Sequence, residues 1–159
     1  MSSNLTESDS TTVASPPDDD KGTVSFPYKG GSGGNPFDDF HPTRKVITQI
    51  RVRAAKNIDA IQVFYDDNTI PTQIHGGTGG DVYDFYLEKG EKIVKIDGRA
   101  AKLIDRLQFH TDTGRASPPY GGSGGDNFSW QAPEGYFLRY FTGRSAKMVD
   151  GLQGFFQTE

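Results

Sequence analysis

Three aspartates recur in the sequence, each at the end of one short motif. The motif reads AAKNID at 54–59, AAKLID at 100–105 and SAKMVD at 145–150, so its copies lie 46 and 45 residues apart. The aspartates are Asp59, Asp105 and Asp150. A carboxylate accepts charge-assisted hydrogen bonds, and its two oxygens can hold two hydroxyl groups of one ligand. The motif therefore predicts three similar sites for a polar, hydroxyl-bearing ligand.

A glycine-rich segment keeps the same spacing. It reads GGSGG at 30–34, GGTGG at 76–80 and GGSGG at 121–125. Glycine has no Cβ, so its backbone N–H groups can come close to a ligand. Two different motifs that repeat in one register three times indicate one supersecondary unit used three times.

The segments between these motifs have the character of strands, and none has a convincing helical period. KVITQIRV at 45–52, EKIVKI at 91–96 and GYFLRYF at 135–141 precede the aspartate motifs. After each motif, apolar residues spaced by three and then two predict a second strand with a bulge near Ala60, Arg106 and Gly151. A hydrophobic content of only 33%, with 20 Gly, 11 Phe and 7 Tyr, favours an all-β domain.

The two ends of the repeat array complement each other. TVSFPY at 23–28 precedes the first glycine loop, but the third unit ends near Glu159 without an equivalent strand. We expect the N-terminal strand to complete the last unit, because an open sheet edge is a liability. A strand from a second chain would close the sheet equally well and would give a homodimer.

Residues 1–22 differ in composition from the rest of the chain. They are rich in Ser, Thr, Asp and Pro, and their five acidic residues and one lysine account for the formal net charge of −4. Such a segment predicts a disordered tail ahead of a domain at 23–159. The domain itself is close to neutral, which argues against a nucleic-acid partner.

Other features exclude further classes. There is no cysteine, hence no disulfide framework. The N-terminus has no apolar core of a signal peptide, and no apolar run approaches the roughly 18 residues that span a membrane. We therefore expect no membrane insertion, and a protein that is cytoplasmic or released without a signal peptide.

The glycine loops and aspartate motifs of residues 23–159 resemble those of the jacalin-related lectins. That family has the β-prism fold, so the resemblance implies three antiparallel four-stranded sheets around a pseudo-three-fold axis. Three glycine loops in one domain are similar to those of multi-site algal members. The resemblance implies a lectin that binds mannose-type glycans on glycoproteins or cell surfaces, without a cofactor.

The resemblance also implies site residues. In the family a sugar lies between the glycine loop and a Gly-x-x-x-Asp motif, whose carboxylate and backbone N–H groups hold it. On this sequence the carboxylates are Asp59, Asp105 and Asp150, and the backbone donors are Lys56, Asn57, Lys102, Leu103, Lys147 and Met148. The last loop glycines are Gly80 for Asp59, Gly125 for Asp105 and Gly34 for Asp150.

The sequence departs from the family pattern in three respects. Asn57, Leu103 or Met148 stands where the family often has an aromatic residue that can lie against the sugar. The glycine of Gly-x-x-x-Asp is replaced by alanine in each copy, at Ala55, Ala101 and Ala146. A lysine follows each alanine, which raises the hypothesis that acidic sugars are preferred. The alternative is that these lysines are merely solvated.

Other interpretations stay open for the motifs. The glycine loops can be tight turns only, and the aspartates can hold the following turn by accepting local N–H bonds. The domain can then serve interaction, oligomerisation or toxin targeting, with altered or lost sugar binding. Catalysis is not predicted, because aspartates related by a three-fold axis lie too far apart for an acid–base pair. The three histidines, His41, His75 and His110, show no metal-site spacing.

Overall fold

The computed structural model describes residues 11–13, 22–69 and 71–159, and all its regular elements are strands. They are β1 (Thr11–Val13), β2 (Thr23–Ser25), β3 (Lys29–Gly30), β4 (Asn35–Asp38), β5 (Ile47–Ala54), β6 (Ile58–Tyr65), β7 (His75–Gly76), β8 (Asp81–Tyr86), β9 (Ile93–Ala100), β10 (Ile104–Thr111), β11 (Tyr120–Gly121), β12 (Asp126–Gln131), β13 (Phe137–Ser145) and β14 (Val149–Gln157). Within those ranges there is no helix that could cross a membrane.

The strands form three sheets of the same design. Sheet I has the order β7-β6-β5-β8, and sheet II has the order β11-β10-β9-β12. In sheet III, β4, β13 and β14 are followed by β2 and β3, which pair with different parts of β14. Each sheet thus has four antiparallel strand positions built around a central hairpin. The prediction of an all-β prism of three four-stranded sheets is confirmed.

Buried and more exposed residues alternate along the central hairpins, so one face of each sheet packs into a shared core. The predicted apolar residues after the aspartate motifs are fully buried, among them Ile61, Leu107 and Leu152. Large aromatics fill the middle, where the rings of Phe26 and Trp130 stack with centroids 5.8 Å apart. One apolar cluster therefore joins all three sheets.

The N-terminal strands close the third sheet within the same chain. Val24 of β2 pairs with Phe156, and Gly30 of β3 pairs with Gly151. The prediction that this segment completes the last unit is confirmed, and the position open to a second chain's strand is filled.

The first 21 residues contribute one further strand. Thr11–Val13 pair in parallel with Ser129–Gln131 of β12. These three residues depart from the predicted disordered tail, because β12 offers them an unpaired sheet edge. The other residues of 1–21 lie outside the described residues, and for them the tail stays a prediction.

An ion pair between an exposed arginine and a buried glutamate ties two turns together at one edge of the core. Glu91 is 2% exposed and accepts two hydrogen bonds from the Arg115 guanidinium, at 2.6 and 2.9 Å. The Thr113 hydroxyl and the Glu88 backbone N–H donate to the same carboxylate. Hydrogen bonds from Arg115 hold the pKa of Glu91 well below its usual value, although burial opposes this.

We expect Glu91→Gln to lower the free energy of unfolding by about 1–3 kcal/mol at pH 7, because it replaces the buried, charged acceptor of the Arg115 guanidinium with a neutral one. The folded-state pKa of Glu91 is depressed, so its contribution is complete above the unfolded value of about 4.3 and is lost as pH falls below it. Urea unfolding from pH 7 to pH 3 should show the gap between variant and wild type narrowing. Glu134→Gln, at an exposed position, is the control. A gap that does not change with pH would contradict this assignment.

Candidate functional site

Each of the three motif aspartates is the extra residue of a β-bulge. In sheet I, Arg53 pairs with Ala60 and Ala54 pairs with Ile58, so Asp59 has no partner across the hairpin. The same register shift leaves out Asp105 in sheet II and Asp150 in sheet III. A bulge re-aims the side chain of its extra residue. The bulge predicted near Ala60 and its equivalents is confirmed, and the aspartate itself forms it.

The glycine loop lies directly against the bulged aspartate. The Gly77 N–H donates to the Asp59 carbonyl at 2.9 Å, and Gly76 and Gly80 have positive φ angles of 124° and 70°. A Cβ atom on Gly79 or Gly80 would lie 2.6 or 2.8 Å from a carboxylate oxygen of Asp59. Glycine is therefore required both for the backbone angle and for the space that the carboxylate occupies.

The other two loops have the same relation to their aspartates. Cβ atoms on Gly125 and Gly34 would each lie 2.5 Å from an oxygen of Asp105 and Asp150, respectively. The structure thus places Gly80 against Asp59, Gly125 against Asp105 and Gly34 against Asp150, which is the arrangement that the family resemblance implies. The last pair joins residues more than 110 positions apart.

One carboxylate oxygen in each unit is buried and has no hydrogen-bond partner in the part of the chain that the structure describes. These atoms are Asp59 Oδ1, Asp105 Oδ2 and Asp150 Oδ1, and they are the oxygens that face the last loop glycine. Leaving a buried polar atom unpaired costs about 1–3 kcal/mol. The same cost at three equivalent positions indicates a cradle that a ligand's donors complete.

The predicted backbone donors lie on tight hairpin loops beside the carboxylates. In the first loop the Ala55 N–H donates to the Asn57 carbonyl at 3.0 Å, and Ala101 and Ala146 make the same bond to Leu103 and Met148. The three alanines are exposed. Non-glycine residues with positive φ are absent from the described ranges, so alanine replaces glycine here without backbone strain.

Hairpin loops and glycine loops alternate around one end of the prism. The Lys56 carbonyl contacts the backbone at Gly122, and equivalent contacts join Lys102 to Gly31 and Lys147 to Gly77. The three sites therefore share one face, and the hairpin of one unit borders the site of its neighbour. The side chains of the three lysines are exposed, and none forms an ion pair with a described residue.

Comparisons with known proteins agree with this architecture. The family model for the jacalin-like lectin domain matches residues 26–154. The chain belongs to this family. No curated protein sequence matches this lectin domain.

Several solved lectins have the same fold as this lectin domain. Malaysian banana lectin is 26% identical, with a TM-score of 0.77, and the match covers 87% of this chain and 100% of that one. A mannose-binding jacalin-related lectin from Ananas comosus is 29% identical, with a TM-score of 0.74 and coverage of 87% and 100%. A mannose-binding lectin from Champedak is 26% identical, with a TM-score of 0.76 and coverage of 86% and 97%.

The three sites of this lectin domain differ at one position that faces the carboxylate. Asn57 is predicted as a backbone donor beside Asp59, but its side-chain amide donates to Asp105 Oδ1 at 2.5 Å in the neighbouring site. Leu103 and Met148 stand in the equivalent positions and have no hydrogen to donate from their side chains. Sequence reasoning missed this contact, because it joins residues 48 positions apart through the ring of loops.

An arginine in each repeat clamps the glycine loop by its carbonyl oxygens. Arg53 donates to the carbonyls of Thr78, Gly79 and Gly80 at 2.8–3.3 Å. Arg99 and Arg144 hold the other loops in the same way, the latter through Gly33 and Gly34. The sequence carries a signal for this, since an arginine immediately precedes each of the three aspartate motifs. The arginine binds the loop carbonyls and so holds the loop next to the aspartate.

We expect Arg53→Gln to loosen the loop 76–80 and leave the fold intact, because the partly exposed guanidinium holds carbonyls that solvent can otherwise satisfy. Amide hydrogen exchange at Gly77 should speed up by about tenfold, the equivalent of about 1.4 kcal/mol of lost local stability. Gly31 and Gly122 in the unaltered loops are internal controls. Equal exchange at all three amides would show that the clamp does not hold the loop.

Proposed function

We propose that this domain is a carbohydrate-binding lectin with up to three sites, and that mannose-type sugars are its primary ligands. The observation that carries the proposal is the buried, unpartnered carboxylate oxygen that recurs at Asp59, Asp105 and Asp150. Each of these oxygens faces a glycine loop that leaves no room for a side chain. A sugar fits this cradle because it presents adjacent hydroxyl groups and little apolar area.

Each proposed site combines three kinds of contact. The carboxylate accepts two sugar hydroxyls in charge-assisted hydrogen bonds, and one of them reaches the buried oxygen. Backbone N–H groups of the hairpin and of the glycine loop donate to sugar oxygens. The hairpin donors are those at Lys56 and Asn57, Lys102 and Leu103, and Lys147 and Met148. The arginine clamp keeps the loop in place for this contact without touching the sugar.

The arrangement of the sites favours surfaces that display many glycans. A small polar contact of this kind has a dissociation constant on the order of 1 mM, or about −4 kcal/mol. Three such sites on one end of the domain raise the avidity for a branched glycan by roughly 10² to 10⁴. We therefore propose branched glycans of glycoproteins or cell surfaces as partners.

The solved relatives favour mannose among neutral sugars. The lectins from Ananas comosus and Champedak are described as mannose-binding, and both share more than a quarter of their residues with this chain over nearly their whole length. The substitution of alanine for glycine in the aspartate motif does not oppose the transfer, because the three alanines are exposed and adopt no positive φ angle.

We expect the triple variant Asp59→Asn, Asp105→Asn and Asp150→Asn to lose binding to methyl α-mannoside and to glycan arrays. Each asparagine keeps the shape but removes the charge, which should weaken its site by about tenfold or more. Titration followed by NMR measures each site separately, and thermal unfolding checks that the fold is kept. Single variants should each silence one site only.

Unchanged glycan binding by the triple variant would contradict the proposal that the sugar sites are centred on the carboxylates. Absence of binding in the wild type to every sugar tested would instead favour an interaction or oligomerisation module with lost sugar sites.

We infer that the three sites are unequal, with the Asp105 site the weakest for a neutral sugar. Asn57 occupies Oδ1 of Asp105, so a ligand hydroxyl must compete for that oxygen or use only the buried one. In the neighbouring repeats, Leu103 and Met148 leave both carboxylate oxygens available.

A reciprocal exchange tests this inequality. Asn57→Leu should strengthen mannoside binding at Asp105 severalfold, because it removes a competing hydrogen bond worth about 1 kcal/mol. Leu103→Asn should weaken binding at Asp150, whose glycine loop borders that hairpin. Site-resolved NMR titration measures both changes. The Asp150 site is the unaltered reference for Asn57→Leu, and the Asp59 site is the unaltered reference for Leu103→Asn. Weaker binding at Asp105 after Asn57→Leu would mean that Asn57 is a ligand instead.

A further inference from the structure

The outer face of sheet II contains a polar cavity that the proposed sugar sites do not use. It has a volume of about 310 Å³ and spans β10, β9 and β12. Its polar lining consists of Asp97, Arg99, Arg106, Gln108, Asn127 and Ser129. This size is at the lower end of the range for small-ligand sites.

Two polar groups in the cavity wall have no hydrogen-bond partner among the described residues. Arg106 Nε is buried and has no acceptor, and the guanidinium forms no hydrogen bond or ion pair with any residue that the structure describes. The Ser129 hydroxyl is also buried without a partner, in a residue that is 5% exposed. Both residues line the cavity, and a cation and a hydroxyl without acceptors form an incomplete set of donors for an anion.

The neighbouring charges do not satisfy Arg106. Arg99 is its direct partner across the strands, and like charges placed opposite each other are destabilising. The Arg99 guanidinium already donates hydrogen bonds to Gly124, Gly125 and Asn127. The Asp97 carboxylate is bound by His110 at 2.8 Å and is approached by Lys95 at 4.0 Å, so it lies at the cavity's edge with its own partners.

The other two repeats lack this cavity chemistry. Ala60 and Gly151 replace Arg106, and the position of Ser129 is taken by the acidic residues Asp84 and Asp38. In sheet I, Asp84 forms an ion pair with Arg51 at 2.8 Å, which closes the outer face on itself. An unpaired positive charge beside a hydroxyl is therefore particular to the second repeat among the described residues.

We propose that this cavity is an oxyanion subsite, which takes the sulfate or carboxylate group of an acidic glycan whose adjoining sugar lies at Asp105. Arg106 supplies the charge and its free N–H donors, and Ser129 supplies a neutral donor that tolerates the bound anion. Arg106 directly follows Asp105, and Arg99 bridges the cavity and the glycine loop at Gly124–Gly125. The anion thus lies next to the sugar site.

This proposal rests on the proposed sugar binding at Asp105, and it assigns acidic-glycan recognition to Arg106. The exposed lysines Lys56, Lys102 and Lys147 occur in all three repeats and would give no preference among the sites. Arg106 predicts a preference at the Asp105 site alone. At that site, the contact with the anion compensates for the hydrogen bond that the sugar loses because Asn57 occupies Asp105 Oδ1.

The test is a site-resolved NMR titration of the full chain with four probes. They are methyl α-mannoside, its sulfated form, a mannuronic acid glycoside and inorganic sulfate. We expect the two acidic sugars to bind the Asp105 site about tenfold more tightly than the neutral one at low salt, a gain that salt reduces. Arg106→Ala introduces the residue that sheet I carries at this place and should abolish the gain, with neutral binding unchanged. Lys89→Ala makes the same change in net charge at an exposed position and should leave the gain intact.

The outcomes separate this inference from the sugar-binding proposal. The subsite alone is overturned if neutral sugar binds at all three sites but neither acidic sugar binds more tightly. It is also overturned if the acidic sugars bind more tightly and this gain survives Arg106→Ala. A gain for only one of the two acidic sugars identifies whether sulfate or carboxylate is the natural group and supports the subsite. Inorganic sulfate that binds at Arg106 as tightly as the sulfated sugar overturns the link to Asp105. Absence of neutral and acidic sugar binding at every aspartate overturns both proposals.

Discussion

The buried carboxylate at each bulge is the constraint on which the end of the prism depends. An aspartate in a regular strand would point to the core or to solvent, and only the extra residue of a bulge can turn toward a neighbouring loop. Once Asp59 and its equivalents are turned in this way, the facing loop must be glycine, because any Cβ would collide with the carboxylate. A glycine loop has little stiffness of its own, so an arginine must hold it. Bulge, loop and clamp therefore form one interdependent unit.

Closure of the ring by the N-terminal strands completes the third copy of this unit. The glycine loop for Asp150 comes from residues 30–34, near the start of the described domain, and β2 and β3 bring it to β14. Without that closure the third carboxylate would lose its facing loop and the third sheet would keep an open edge. The same strands thus contribute to stability and to the last site, which is why the chain ends meet at this point of the fold.

The sequence allows most of this scaffold to be predicted and little of its fine differentiation. Two motifs in one register are enough to infer three copies of one unit, because repeats make local patterns redundant, and the strand spacing within each unit predicts its bulge. The three-sheet arrangement and the pairing of each aspartate with its loop come from the family resemblance. The arginines Arg53, Arg99 and Arg144 were equally visible as a repeated position, but their partners are backbone carbonyls that no side-chain pattern reveals. The contact of Asn57 with Asp105 and the unpaired Arg106 depend on packing between repeats, which spacing along one chain does not encode.

Comparison of the three repeats separates what the scaffold requires from what a ligand selects. Aspartate, the loop glycines and the clamping arginine are the same in every copy, since each is fixed by contacts inside the unit. The positions that vary include Asn57, Leu103 and Met148 beside the carboxylates, and Ala60, Arg106 and Gly151 directly after the aspartates. An unpaired buried group at a variable position, such as Arg106 Nε, cannot be explained by the scaffold, because two of the three copies fold without it. A bound anion accounts for the free-energy cost of this unpaired group. The second repeat is therefore the one whose ligand preference we expect to differ from that of the first and third repeats.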